Sequence, residues 1–145
     1  MIGFLLSGCS DQEASPEDRI RTLLNGAEEA VEKRSLSDAA ELISPDYRDQ
    51  AGRDRRAMKR LLLGYFLRNQ SIHVLKQVRQ IDLLGADRAR VVLYAGVAGQ
   101  RPGEGESLQQ WGGDLVRLEA NLVMENGDWR LIEASWRRAS QGDLL

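Results

Sequence analysis

The sequence of 145 residues contains very little of the chemistry that metals and disulfides require. It has one cysteine, Cys9, and one histidine, His73. A single cysteine excludes a disulfide within the chain. A lone histidine with no cysteine nearby leaves no group of residues with the ligand spacing of a zinc site. The sequence also lacks a glycine-rich phosphate loop, because Gly103-Glu104-Gly105 has neither the spacing nor a following helical pattern. We therefore expect neither a metal nor a cofactor.

Long apolar runs and an excess of one charge are also absent. No apolar stretch reaches the roughly 18–20 residues that a membrane-spanning helix requires. The formal net charge is only −2, so no overall field attracts nucleic acid, and we expect no nucleic-acid partner. A hydrophobic content of 42% and a charged content of 29% are typical of one folded domain. The exception to the even charge is a basic cluster made of Arg53, Arg55, Arg56, Lys59 and Arg60.

The only cysteine lies in a distinctive setting, Leu6-Ser7-Gly8-Cys9. This motif resembles the bacterial lipobox, in which small residues admit a peptidase and the cysteine thiol accepts a diacylglyceryl group. The resemblance implies a truncated lipoprotein signal segment at 1–8 and a lipidated tether at 9–15. It also implies attachment through Cys9 to the bacterial cell envelope, at the outer membrane facing the periplasm. The stretch before Cys9 is short and carries no Lys or Arg, so an accidental match is the alternative.

Three helices are predicted in the first half of the chain. Ser15 is a capping residue followed by Pro16 and two acids, and apolar residues then recur at helical spacing to about Arg34. A shorter helix is predicted from Ser37 until Ser44-Pro45 stops it. The third prediction is a helix from about Arg53 to Arg68.

From Ser71 onward the hydrophobic period changes from 3.6 to 2, which predicts strands. Strands are expected at 72–84, with a bulge, and at 88–98, followed by a loop at 100–113. The stretch 114–137 contains Asn126-Gly127 between alternating runs, which is the strongest short-range signal for a hairpin. With a two-residue loop, Leu122 is expected opposite Leu131, and Ala120 opposite Glu133.

Helices followed by antiparallel strands indicate an α+β fold. This order, together with the stretch from Leu36 to Tyr47 (LSDAAELISPDY), resembles the NTF2-like superfamily, also described as cystatin-like or SnoaL-type. The resemblance implies a cone in which three N-terminal helices pack on a curved, mainly antiparallel sheet and leave a pocket between them. It implies an NTF2-like domain at 16–138 and a tail at 139–145. Many members of the superfamily pair through the outer face of the sheet.

Glu133 is the sharpest candidate for chemistry. In the expected register it lies on the apolar face, where burial would raise the pKa of its carboxyl toward values suited to proton transfer. The alternative is an exposed carboxylate or one paired with an arginine. Aromatic side chains that could line the mouth of the pocket, or belong to the core, are Tyr47, Tyr65, Trp111 and Trp129. A candidate dimer face on the outside of the sheet comprises Leu115, Val123, Ile132 and Trp136.

These features lead to three hypotheses about function. The first is an envelope lipoprotein whose domain binds a small apolar ligand or an envelope protein without catalysis, because no catalytic set is recognisable. The second is an enzyme of the isomerase or dehydratase type that uses Glu133 as its base. The third is a dimeric scaffold without a usable pocket.

Overall fold

A computed structural model describes residues 14–99, 107–108, 111 and 113–144, so Cys9 and residues 1–13 lie outside the described part of the chain. The predicted α+β class is confirmed: three helices precede a four-stranded antiparallel sheet. The elements in chain order are α1 (Pro16–Glu32), α2 (Leu36–Glu41), α3 (Arg55–Arg68), β1 (His73–Leu83), β2 (Arg88–Ala98), β3 (Asp114–Glu125), β4 (Asp128–Arg138) and a 3-10 helix (Gln141–Leu144).

Each helix begins at a side chain that accepts a hydrogen bond from the first turn. Ser15 Oγ accepts from the backbone N–H of Asp18 at 3.1 Å, and Ser35 Oγ accepts from that of Asp38 at 3.2 Å. Asp54 caps α3 by accepting from Ala57 at 2.9 Å. Such caps satisfy N–H groups that have no partner inside the helix. The cap at Asp54 explains why α3 starts at Arg55, two residues later than predicted.

The sheet is a meander in the order β1-β2-β3-β4, so each strand pairs with its neighbours in sequence. The predicted hairpin between β3 and β4 is confirmed, with φ of 52° at Asn126 and 84° at Gly127. Positive φ at both central residues is the requirement of a type I′ turn, which Asn-Gly meets at little steric cost. The predicted bulge in β1 is also present, between Val78 and Gln80.

A second bulge, in β4, was not predicted. Leu131 lies opposite Leu122 as expected, but Ile132 is an extra residue, so Glu133 pairs with Asn121 and Ala134 pairs with Ala120. The prediction that places Glu133 opposite Ala120 on the apolar face is therefore wrong. Because side chains alternate between faces, one inserted residue moves every later side chain of the strand to the other face.

The helices cover one face of the sheet, called the inner face below. Ile20 and Leu24 of α1 pack there against Val91, Leu93 and Leu122 in a buried core. The opposite, outer face carries a separate apolar cluster at one end, formed by Tyr94, Leu108, Trp111, Leu115 and Leu144. The edge of β4 that does not pair with β3 is covered by the segment after α2. The backbone N–H of Ser44 donates to the carbonyl of Leu131, and the backbone N–H of Arg48 donates to the carbonyl of Ile132.

Candidate functional site

An apolar cavity of about 310 Å³ lies between the three helices and the inner face of the sheet. Every side chain that lines it is apolar, and the volume is at the lower end of the range of small-molecule sites. The lining residues are Leu23, Leu24, Ala27, Val31, Ala39, Leu42, Ile43, Met58, Leu61, Leu62, Leu118, Ala120, Leu122, Leu131, Ala134 and Trp136.

Small side chains create this space. Ala27 of α1 and Ala39 of α2 stand where a leucine would reach further into the gap between helices and sheet. Across the gap, Ala120 and Ala134 pair directly with each other on β3 and β4. Apart from Trp136, no side chain of the lining can bond to water, so an apolar ligand that enters this space breaks no hydrogen bond between water and those side chains.

The cavity reaches the surface beside Leu61 and Trp136, which are each 39% exposed although they belong to its lining. The guanidinium carbon of Arg53 lies 4.6 Å from the centroid of the Trp136 ring, an arrangement that favours cation–π attraction. The entrance is therefore an apolar rim with one arginine stacked on it.

Arg53 is held in that position by the buried carboxylate of Asp49. Its Nε donates to Asp49 Oδ2 at 2.9 Å, and the same oxygen accepts from the Tyr47 hydroxyl at 2.8 Å. Burial pushes the pKa of Asp49 upward, but donation from the Arg53 backbone, the Tyr47 hydroxyl and the guanidinium outweighs burial and holds that pKa below its usual value. Burial, reinforced by Asp49, raises the pKa of Tyr47, so its hydroxyl stays protonated and donating.

Glu133 lies away from the cavity because of the bulge in β4. Its Oε1 accepts a hydrogen bond from Asn121 Nδ2 at 2.8 Å, and Asn121 faces outward on β3. Glu133 lines an open groove on that side of the molecule, together with Asp46, Arg48 and Arg88. No carboxylate belongs to the cavity lining in the part of the chain that the structure describes.

The four aromatic side chains predicted at the pocket mouth lie in separate places. Tyr47 is only 1% exposed and belongs to the core, and Trp129 packs against the core of the inner face. Trp111 covers the outer face so closely that a Cβ added at Gly96 would lie 2.6 Å from its ring. Tyr65 is half-buried on α3, and burial raises the pKa of its hydroxyl. None of these four lines the apolar cavity.

Trp136 is the aromatic residue that the cavity does contain, and sequence reasoning assigned it to the wrong face. The prediction placed it with Leu115, Val123 and Ile132 on a dimer face outside the sheet. It lies opposite Leu118 on the inner face, because the bulge shifts the alternation. Leu115 is buried as a member of the outer apolar cluster, so these four residues do not form one exposed surface.

The described residues contain no group of three metal-ligating side chains and no helix long and apolar enough to cross a membrane. The arrangement instead offers an apolar cavity for binding. The sequence feature that could have predicted the cavity is the set of alanines at inward positions of α1, α2, β3 and β4. These positions can be recognised as inward only once the strand register is known.

The fold has many relatives of known structure. No family model and no curated protein matches the sequence. The chain is similar to a candidate dehydratase of the NTF2-like family from Streptomyces avermitilis, with a TM-score of 0.68 and 15% identity over 85% of this chain and 95% of that one. A Nostoc punctiforme domain of unknown function with a cystatin-like fold has a TM-score of 0.63 and 15% identity over 86% and 77%.

A ketosteroid isomerase-like protein from Erwinia carotovora atroseptica has a TM-score of 0.61 and 10% identity over 84% of this chain and 95% of that one. Similarity at these identities shows the fold and nothing finer, because one fold hosts many unrelated functions. The chain therefore has an NTF2-like α+β fold, as the order of its elements predicts.

Proposed function

We propose that this protein is an envelope lipoprotein whose NTF2-like domain binds a small apolar ligand without transforming it. The apolar cavity is the observation that carries the proposal. All of its lining side chains are hydrocarbon, thioether or aromatic, so the favourable contribution to binding comes from apolar surface removed from water, about 25 cal/mol per Å².

The residues that line this cavity do not support a chemical reaction there. General acid–base catalysis needs a titratable side chain within hydrogen-bond reach of the reacting group. The described lining supplies none, and Glu133, the carboxylate of the isomerase or dehydratase alternative, lies on the outer side of the sheet. Turnover of a substrate that is lost on Glu133→Gln would reverse this ranking. The dimeric scaffold stays a prediction.

Attachment to the membrane is proposed on the sequence Leu6-Ser7-Gly8-Cys9, whose cysteine would carry the acyl chains. Each buried methylene of such a chain contributes about 0.8 kcal/mol to membrane partitioning. The polar stretch from Ser10 to Ser15 would then connect the anchor to α1, which begins at Pro16. The mass of the mature chain isolated from bacterial membranes tests this proposal.

Ligand binding is tested with a neutral apolar fluorophore, N-phenyl-1-naphthylamine, titrated into the full chain. Ala27→Leu adds three carbons inside the cavity from a helical position, and we expect it to weaken binding about ten-fold, which corresponds to about 1.4 kcal/mol. Ala86→Leu makes the same change in the exposed turn between β1 and β2 and should leave affinity unchanged. Absence of binding by the wild type, or equal affinity in all three proteins, would overturn the proposal.

A further inference from the structure

The solvent-facing side of α3 combines positive charge with exposed leucines. Arg56, Arg60, Leu63 and Leu67 follow one another at spacings of four, three and four residues, so they form one stripe along the helix. Leu63 is 42% exposed and Leu67 is 75% exposed, the highest value among the large hydrophobic residues described. We call these four residues the α3 stripe.

The charge of this helix has a single sign. Its sequence, RRAMKRLLLGYFLR, contains five basic residues and no Asp or Glu. In the described part of the chain Arg56, Lys59 and Arg60 take part in no ion pair, as is also true of other basic residues such as Arg88 and Arg130. In a chain of net charge −2, this concentration of cations is a local departure that suits an anionic partner.

We propose that the α3 stripe docks on the surface of a bilayer that contains anionic phospholipid. An amphipathic helix lies in the membrane interface when leucines enter the boundary between head groups and acyl chains and cations meet the lipid phosphates. Leu63 and Leu67 supply the first contact and Arg56 and Arg60 supply the second. Both leucines are exposed, so they can enter a lipid layer without any change in the fold.

Vesicle sedimentation tests the docking without help from any lipid anchor. Full-length Cys9→Ser protein is mixed with vesicles of phosphatidylcholine alone or of phosphatidylcholine and phosphatidylglycerol in equal parts. We expect partitioning onto the anionic vesicles only, and weaker partitioning as salt rises, because salt screens the attraction between exposed charges.

Two substitutions in this background separate the contributions of charge and apolar surface. Arg60→Gln should weaken partitioning roughly five-fold, the equivalent of the approximately 1 kcal/mol that one basic residue contributes near an anionic surface. Leu67→Ser should weaken it at every salt concentration, because insertion of an apolar side chain is not screened. Both side chains point into solvent, so the fold does not depend on them.

The matched controls are Arg21→Gln on the exposed side of α1 and Leu84→Ser, where the leucine is 59% exposed beside the turn between β1 and β2. Both should partition like the parent protein. Absence of binding to anionic vesicles, or equal losses in the controls, would overturn the docking. Ala27→Leu leaves the α3 stripe intact, so vesicle binding by that variant distinguishes failure of the docking from failure of the ligand proposal.

Discussion

At the scale of single residues, Asp49 organises the region around the cavity entrance. It is 6% exposed, and its two oxygens accept from the Tyr47 hydroxyl, from the backbone N–H groups of Ala51 and Arg53, and from Arg53 Nε, at distances between 2.8 and 3.0 Å. The Tyr47 hydroxyl also accepts from the backbone N–H of Ala134 on β4. This one carboxylate thus links the segment after α2 to the arginine that stacks on Trp136.

Replacing Asp49 by asparagine should lower the free energy of unfolding by about 2 kcal/mol at neutral pH, because hydrogen bonds to a charged group are lost or weakened. The folded-state pKa of Asp49 lies below its unfolded value, so its contribution is present above the unfolded pKa of about 3.9 and disappears as pH falls through the folded value. Urea unfolding should therefore show the difference between wild type and Asp49→Asn shrinking below about pH 4.

The control for this change is Asp46→Asn, an exposed neighbour whose side chain takes part in none of these bonds. It should alter unfolding by less than about 0.5 kcal/mol. An equal effect of both substitutions would contradict the assigned role of Asp49. The role itself was not predictable from sequence, since nothing in Tyr47-Arg48-Asp49 indicates that its carboxylate folds inward.

At the scale of elements, local chemistry accounts for what the sequence predicts well. The cap at Ser15, the stop at Ser44-Pro45 and the Asn126-Gly127 turn act through neighbouring residues, so their patterns are readable in one dimension. The bulge at Ile132 has no such signature. It depends on the partners of β4 at both edges, β3 on one side and the segment 42–48 on the other.

Two glycines should respond in opposite directions to the same substitution. Gly127→Ala should destabilise the protein by about 1–2 kcal/mol, because its φ of 84° lies in the left-handed region that a Cβ disfavours. Gly26→Ala, inside α1 with nothing within 4 Å of the added Cβ, should stabilise it by about 0.5–1 kcal/mol. Thermal unfolding of the two variants checks the pair, and a shift of the same sign in both would contradict the argument.

At the scale of the whole molecule, the order of helices and strands was enough to predict the α+β fold and its resemblance to NTF2-like structures. The cavity was not predictable. Its walls come from five of the seven main elements and the segment after α2, and its volume is the space that four alanines leave unfilled. An error of one residue in the predicted register of β4 was sufficient to place Glu133 in the pocket and Trp136 outside it.

The location of the molecule is open to a direct measurement. Expressed in a bacterium behind a complete lipoprotein signal sequence, the wild-type chain should fractionate with membranes and carry the added mass of lipid on Cys9. The Cys9→Ser variant should be found in the soluble fraction at its unmodified mass. Soluble, unmodified protein in both cases would mean that the resemblance to a lipobox is accidental.

The two edge strands of the sheet, β1 and β4, are protected from aggregation in different ways. Segment 42–48 occupies the edge of β4, whereas β1 carries a bulge at Arg79 and a lysine, Lys76, turned toward α1. Lys76 Nζ lies 3.2 Å from Glu28 Oε1 and donates to Asn25 Oδ1 at 2.7 Å. Another β-strand that added itself to this edge would meet an interrupted ladder and an inward-facing charge. The fold therefore disfavours the repeated addition of strands at this edge by which fibrils grow.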